Sequence, residues 1–215
     1  MWRFIGRNGA ILGIFALFTT GLIALTFSLT KDTIASAKAE QLLKILNELV
    51  PESDHDNLLH TDCISIAADP LLGSKEQKVF RARQGDKHHA VIIETTAPDG
   101  YSGDINIVVA VDTQQTVLGA RVIEHKETPG LGDKIDLRIS DWILSFNGIS
   151  YSTATDERWQ VKKDGGQFDQ FTGATITPRS VVNAIKNAVI YVGQNEEMLY
   201  DTPSNCGENN MSTEV

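Results

Sequence analysis

Asp169-Gln170-Phe171-Thr172-Gly173-Ala174-Thr175-Ile176-Thr177, followed by Pro178-Arg179-Ser180-Val181-Val182-Asn183-Ala184-Ile185-Lys186-Asn187-Ala188-Val189, is the stretch on which the reading of this chain turns. Val181, Val182, Ile185, Ala188 and Val189 recur at helical spacing, which predicts an amphipathic helix over about 178–193. Thr177 is the expected N-cap, with Pro178 at the first helical position, where a missing N–H costs nothing. Thr175 then lies two residues before the helix start. Backbone N–H groups and the positive end of the helix dipole point that way and favour a bound phosphate. Gly173 and Ala174 leave room for a bulky group to approach the backbone. Physics alone leaves two readings open: a capped helix after a polar turn, or an anion site at a helix N-terminus.

Upstream of this stretch the pattern is that of strands. Val79–Arg83, Ala90–Thr96, Asp104–Val111 and Val117–His125 are separated by the turn signals Gln84-Gly85-Asp86, Pro98-Asp99-Gly100 and Asp112–Gln115, which predicts an antiparallel meander. Glu127-Thr128-Pro129-Gly130-Leu131-Gly132 follows as a loop, with Pro129-Gly130 setting a tight turn and Gly132 allowing close approach. A short helix is expected over Asp141–Phe146, with Trp142, Ile143 and Phe146 inward, and another strand over Trp159–Val161. The fold class expected is α+β: a membrane helix, then an antiparallel sheet with flanking helices.

Residues 9–29 carry no charged side chain. At about 1.5 Å per residue they span roughly 31 Å, enough for a hydrocarbon core of about 30 Å. Arg3 and Arg7 precede the run, and the positive-inside rule places them in the cytoplasm, with the rest of the chain on the other side. A cleaved signal peptide is the competing reading, with Ala35-Ser36-Ala37 as the cleavage site, but the apolar run exceeds the usual length of such a region. Residues 31–50 continue as a helix with an apolar stripe of Ile34, Leu42, Ile45, Leu46 and Leu49, and Pro51 ends it. Residues 52–75 read as solvated loop. The layout is therefore a cytoplasmic N-terminus (1–8), a transmembrane helix (9–29), an amphipathic helix with its connection (30–75), a folded domain (76–194) and a polar tail (195–215) expected to be disordered.

The 215 residues carry a net charge of -9, and residues 1–30 hold two bases and no acid, so the remainder is more acidic still. That argues against nucleic acid and against electrostatic docking on anionic lipid. Cys63 and Cys206 have neither CxxC spacing nor histidines at zinc-ligand spacing, so no metal or iron–sulfur site is expected. Sequence alone does not say whether they pair, and two inert or loosely paired thiols are the expectation. His88, His89 and His125 are expected on strands with their rings in water.

Asp-x-x-Thr-Gly-Ala-Thr over Asp169–Thr175 resembles the flavinylation motif of extracytoplasmic FMN-binding domains. Gly100-Tyr101-Ser102-Gly103 resembles the Gly-Tyr-x-Gly start of that domain, and Glu127–Gly132 resembles its Glu-Thr-Pro-Gly-Leu-Gly loop in full. The whole layout is similar to the G-subunit family of Rnf-type (Rsx-type) ion-translocating electron-transport complexes. The related C subunit of the sodium-translocating NADH:quinone reductase shares the domain. This resemblance implies FMN joined to Thr175 by a phosphoester, placed there from FAD by a separate Mg²⁺-dependent flavin transferase. A threonine with no base beside it is too weak a nucleophile to attach itself.

By the same resemblance Asp169, Thr172, Gly173 and Ala174 serve recognition and access, and Thr177 keeps the hydroxyl of the motif. Glu127, Thr128, Gly130, Leu131 and Gly132 lie against the flavin, and Tyr101 either supports that pocket or belongs to the core. Trp142 and Trp159 are either ring-stacking residues or core. No residue is expected to be catalytic in its own right. The function implied is a membrane-anchored electron relay of the bacterial inner membrane with a periplasmic domain, working among other subunits of a complex that moves ions or reduces a redox regulator. Alternatives are the quinone-reductase subunit and an anchored assembly module without flavin.

Overall fold

The computed structural model describes residues 2–152 and 156–206. The last part of the expected tail, 207–215, lies outside the described residues. Residues 1–44 and 45–215 form two compact units.

The described residues of the first unit are helical, as part of helix α1, Trp2–Leu49. Ile5–Leu49 holds an apolar window of mean hydropathy 2.2, with none of it buried by protein. The hydroxyls of Thr19, Thr26 and Thr30 each donate to the carbonyl four residues back, at 3.0, 2.9 and 2.8 Å. These three hydroxyls are thereby satisfied within a helix long and apolar enough to cross a bilayer.

The second unit is built on one antiparallel sheet. Its strands are β1 (Cys63–Ile66), β2 (Gln77–Gln84), β3 (Lys87–Gly100), β4 (Gly103–Asp112) and β5 (Val117–Glu124), in the order of the chain. Helix α2, Ile176–Asp201, lies on one face. Ile105, Ile107, Val109 and Val111 of β4 alternate toward it and share a core with Val181, Val182, Ile185, Ala188 and Val189. The period of 2 in the strand thus meets the helical stripe read from sequence. The other face, with Phe80, Ala82, Ile92, Val108 and Ala110, is buried as well. There Leu49, from the end of α1, comes so close to Gly119 that a β-carbon at that position would stand 2.7 Å from its Cδ2.

Five expectations are corrected. A fifth strand, β1, lies in the segment read as loop; Cys63 pairs with Phe80 and Ile66 with Gln77. β3 does not stop before Pro98 but runs to Gly100, because the pairing shifts between Ala97 and Gly100 and proline is tolerated at such a bulge. The reversal falls instead on Tyr101 and Ser102. Trp159–Val161 is no strand: Val161 forms only an isolated bridge to Phe168, while Trp159 is fully buried core. The segment 141–146 is a short 3-10 helix, with Ile143 and Phe146 buried as expected and Trp142 only half-buried. Finally, α2 continues past residue 194 to Asp201, with non-helical angles at Asn195.

Residues 202–206, just beyond α2, are fastened rather than loose. Cys63 and Cys206 form a disulfide, which decides the pairing that the sequence left open. The buried Arg81 guanidinium donates to the carbonyls of Leu199 and Tyr200, both at 3.3 Å, and of Thr202 at 2.5 Å. These are orphan carbonyls of a helix C-terminus, and a cation there is favourable twice over. Arg81 and Arg83 both pair with Asp62, the latter at 2.7 Å. Burial pushes the Asp62 carboxyl upward, but the hydrogen bond from Arg83 and the charges of Arg81 and Arg83 outweigh it and hold it below its ordinary value.

Candidate cofactor site

Three turns, each shaped by a glycine, meet at the N-terminal end of α2. At the first, Gly100 pairs with Gly103 across the β3–β4 hairpin, where Gly103 has φ 110°. At the second, the Leu131 N–H donates to the Thr128 carbonyl at 3.1 Å around Pro129-Gly130, with Gly130 at φ 79°. Proline followed by a positive-φ glycine is the signature of a type II turn. At the third, Ala174 N–H donates to the Phe171 carbonyl at 3.1 Å around Thr172-Gly173, with Gly173 at φ 84°. A β-carbon on Gly173 would meet Leu131 Cδ2 at 3.3 Å, so the second and third turns are in contact.

Glu127 ties all three together. It is 5% exposed. Its Oε1 accepts the Ser102 N–H at 3.0 Å, and its Oε2 accepts the Thr177 hydroxyl at 2.5 Å. Its backbone N–H donates to His125 Nδ1 at 3.2 Å, which fixes the root of the side chain. The carboxylate fits only because its neighbours are glycines: a β-carbon on Gly100 would stand 3.0 Å from Oε1, and one on Gly132 2.5 Å from Oε2.

This bond changes the helix start. Thr177 was expected to cap α2, but its side chain is fully buried and committed to Glu127. The cap position falls on Thr175, which makes no side-chain capping bond, and helix begins at Ile176. Pro178 sits in the first turn, where its missing N–H still costs nothing. The helix therefore ends in backbone donors that no side chain satisfies, beside a half-buried threonine whose hydroxyl has no partner among the described residues. A phosphate ester at this place would meet unspent N–H groups and the positive end of the dipole.

A cavity of about 330 Å³ opens here. Tyr101, Glu127, Thr128, Leu131, Gly132 and Thr175 are in its wall, as are Gly173, Ala174 and Thr177. The structure thus gathers residues from all three motifs around Thr175. Tyr101 is 69% exposed, which removes it from the core. Three of the twelve expected residues stand apart from this wall. Gly130 shapes its turn from outside, Thr172 is exposed, and Asp169 points to the surface, where it pairs with Lys162 at 2.6 Å. Ile176 and the Ser102 N–H belong to the site and were not singled out from sequence. Their positions, beside Thr175 and within the Gly-Tyr-Ser-Gly turn, were the available signals. A larger cavity of about 440 Å³, on the other side of the first turn of α2, shares only Ile176 with this one.

The aromatic residues have other work. Trp142 donates its indole N–H to the Asp169 carbonyl at 2.7 Å and packs edge-on against Phe146 and Phe171, so it anchors the start of the motif. Trp159 packs with Phe146 and Phe168 inside the core. His125 does not have its ring in water; it is half-buried, with Nε2 3.8 Å from Asp136. His88 is exposed but stacks on Tyr200, with ring centroids 3.7 Å apart.

The FMN-binding domain family matches residues 100–190, from the Gly-Tyr-Ser-Gly turn into α2. The RnfG N-terminal region matches residues 1–49, a range that contains α1. The chain is 51% identical to the G subunit of the ion-translocating oxidoreductase complex of Pseudoalteromonas atlantica over 207 residues, covering 96% of each chain. It is 50% identical to the protein of that name in Vibrio cholerae, covering 94% of this chain and 97% of that one, and 50% identical to the one in Vibrio vulnificus, covering 96% and 98%. The residues fit a flavin phosphate at Thr175, the motifs converge, and likeness extends over nearly the full length: the chain belongs to the G-subunit family of ion-translocating oxidoreductase complexes, with an FMN-binding domain behind an RnfG-type N-terminal helix.

Proposed function

We propose that the chain is a single-pass subunit of the bacterial inner membrane that carries FMN on Thr175 through a phosphoester. Its domain stands on the periplasmic side and relays electrons between other subunits of an ion-translocating oxidoreductase complex. The observation that carries this reading is the Thr175 hydroxyl, without a partner among the described residues, at the uncapped start of α2, inside the cavity where three motifs meet. FMN, when bound, supplies reversible uptake and release of electrons. The chain needs no substrate pocket of its own. The Thr128–Leu131 turn and Leu131 would hold the ring, Gly173 and Ala174 keep the approach to Thr175 open, and the first N–H groups of α2 would receive the phosphate.

Attachment falls to a separate Mg²⁺-dependent transferase. In it the Thr175 oxygen, losing its proton, would form one ester bond to the FMN phosphorus of FAD as the bond to AMP breaks. Arg3 and Arg7 before the apolar helix support a cytoplasmic N-terminus. The Cys63–Cys206 disulfide supports an oxidising compartment for the domain.

The test is intact mass and in-gel fluorescence of denatured protein, co-expressed with the transferase. Wild type should carry one FMN-sized adduct and fluoresce, and Thr175→Val should do neither. A wild type of unmodified mass, or a fluorescent Thr175→Val band, would refute the assignment. A reporter fused to the C-terminus and active only in the cytoplasm would refute the orientation.

A further inference from the structure

We propose that Glu127 is a positioning residue whose negative charge, fixed in the wall of the Thr175 cavity, holds the reduction potential of the attached flavin down; this rests on the proposed flavin at Thr175. The carboxylate is buried, lines the cavity and has both oxygens engaged, one by the Ser102 N–H and the other by the Thr177 hydroxyl. Both donors are neutral. Among the described residues no lysine, arginine or histidine pairs with it. Its charge is therefore held in place without a cationic side-chain partner among the described residues.

Fastening the three motifs does not require that charge. A glutamine of the same length could accept the Ser102 N–H with its carbonyl oxygen and donate its amide to Thr177. A threonine hydroxyl accepts as well as donates, so both bonds survive. Glutamine would also avoid desolvating a carboxylate, which is the costlier group to bury. The charge must then act on something else, and the cavity it faces is where the flavin would sit. Electrons added to the ring add negative charge, and a nearby fixed carboxylate in a low-dielectric wall opposes them.

Glu127→Gln separates the two roles, and Glu127→Ala removes both. In the full-length flavinylated protein, Glu127→Gln should load FMN as wild type does by intact mass. It should also keep the wild-type melting temperature. Its flavin should be easier to reduce, with the oxidised-to-reduced equilibrium moved at least tenfold toward the reduced form, about 30 mV for a two-electron couple. Thr177→Ser, which keeps the hydroxyl, should show the wild-type potential, and Glu127→Ala should lower the melting temperature. A loaded Glu127→Gln with the wild-type potential, or one shifted the other way, would overturn the proposal. So would a Glu127→Gln protein that fails to fold or to load, because the amide was to preserve both bonds. An unloaded wild type would instead refute the flavin reading itself, so the two failures are distinguishable.

Discussion

Gly132→Ala measures how rigidly the three motifs are locked. A methyl group at that position would stand 2.5 Å from Glu127 Oε2, 2.9 Å from Thr177 Oγ1 and 3.1 Å from Glu127 Cβ. Gly132 is not among the glycines with positive φ, so alanine meets no backbone penalty and the conflict is purely steric. Relief requires the carboxylate to withdraw, which breaks its bond with Thr177. Overpacking of this kind costs about 1–3 kcal/mol, and a hydrogen bond to a charged acceptor contributes about 1.5–3 kcal/mol. Allowing for partial relaxation, the sum is about 3 kcal/mol. Gly130→Ala supplies the control: its methyl would meet nothing within 4 Å, but φ is 79°. A left-handed alanine costs about 1 kcal/mol. For a domain of this size each kcal/mol lowers the melting temperature by about 2–4 °C, so Gly132→Ala should lose about 6–12 °C and Gly130→Ala about 2–4 °C. Thermal unfolding followed by tryptophan fluorescence reads both. A Gly132→Ala protein no less stable than Gly130→Ala would mean that Glu127 moves freely and that no such lock exists.

Further outcomes concern the C-terminal fastening and Trp142. Cys63→Ser opens the bond to Cys206 and should cost about 2–5 kcal/mol, with a urea midpoint that no longer responds to reductant. Because the folded Asp62 carboxyl titrates below its unfolded value, its contribution is complete above about pH 4 and is lost as pH falls through the lower, folded pKa. Wild-type stability should therefore decline more steeply below pH ~4 than that of Asp62→Asn, as read by urea midpoints at stepped pH. Trp142→Phe keeps a ring against Phe146 and Phe171 but deletes the bond to the Asp169 carbonyl. It should cost about 1 kcal/mol and leave the flavin absorption spectrum unchanged; an altered spectrum would mean that Trp142 touches the ring after all.

Where local pattern decides the structure, the sequence was legible. The apolar run of α1, the apolar runs of β2 to β5 between turn signals and the stripe of α2 are each local patterns. The Pro129-Gly130 turn follows from the chemistry of two residues. Several of the misreadings have a distant partner. β1 is only four residues long, and beyond β2 it is held by Asn205, whose side chain accepts the Ser65 N–H at 2.6 Å from 140 residues away. Thr177 looked like a cap because a threonine before proline usually is one; its hydroxyl instead serves a carboxylate 50 residues upstream. The last turns of α2 are polar and would fray alone, yet Arg81 of β2 gathers their carbonyls and the disulfide fastens the segment just beyond them. Trp142 offered two readings, and the choice between them depended on where the Asp169 carbonyl points.

The size of the cavity bears on why the proposed covalent bond would be useful there. Ligand sites commonly enclose about 300–1,000 Å³, and this one, about 330 Å³, is at the small end. Contact within it would bury only part of a flavin nucleotide. Held by contact alone, the group would have an occupancy set by the ratio of free ligand to Kd, a poor arrangement outside the cytoplasm, where free flavin is dilute. A single ester bond at Thr175 would make retention independent of concentration and of cavity depth. The wall then need not be chosen for affinity. It can keep a buried carboxylate such as Glu127, with no cationic side-chain partner among the described residues, a group that would weaken the grip of any site that relied on contact to hold an anionic cofactor. Tether and charge make sense together: the first removes the penalty that the second would otherwise impose on binding.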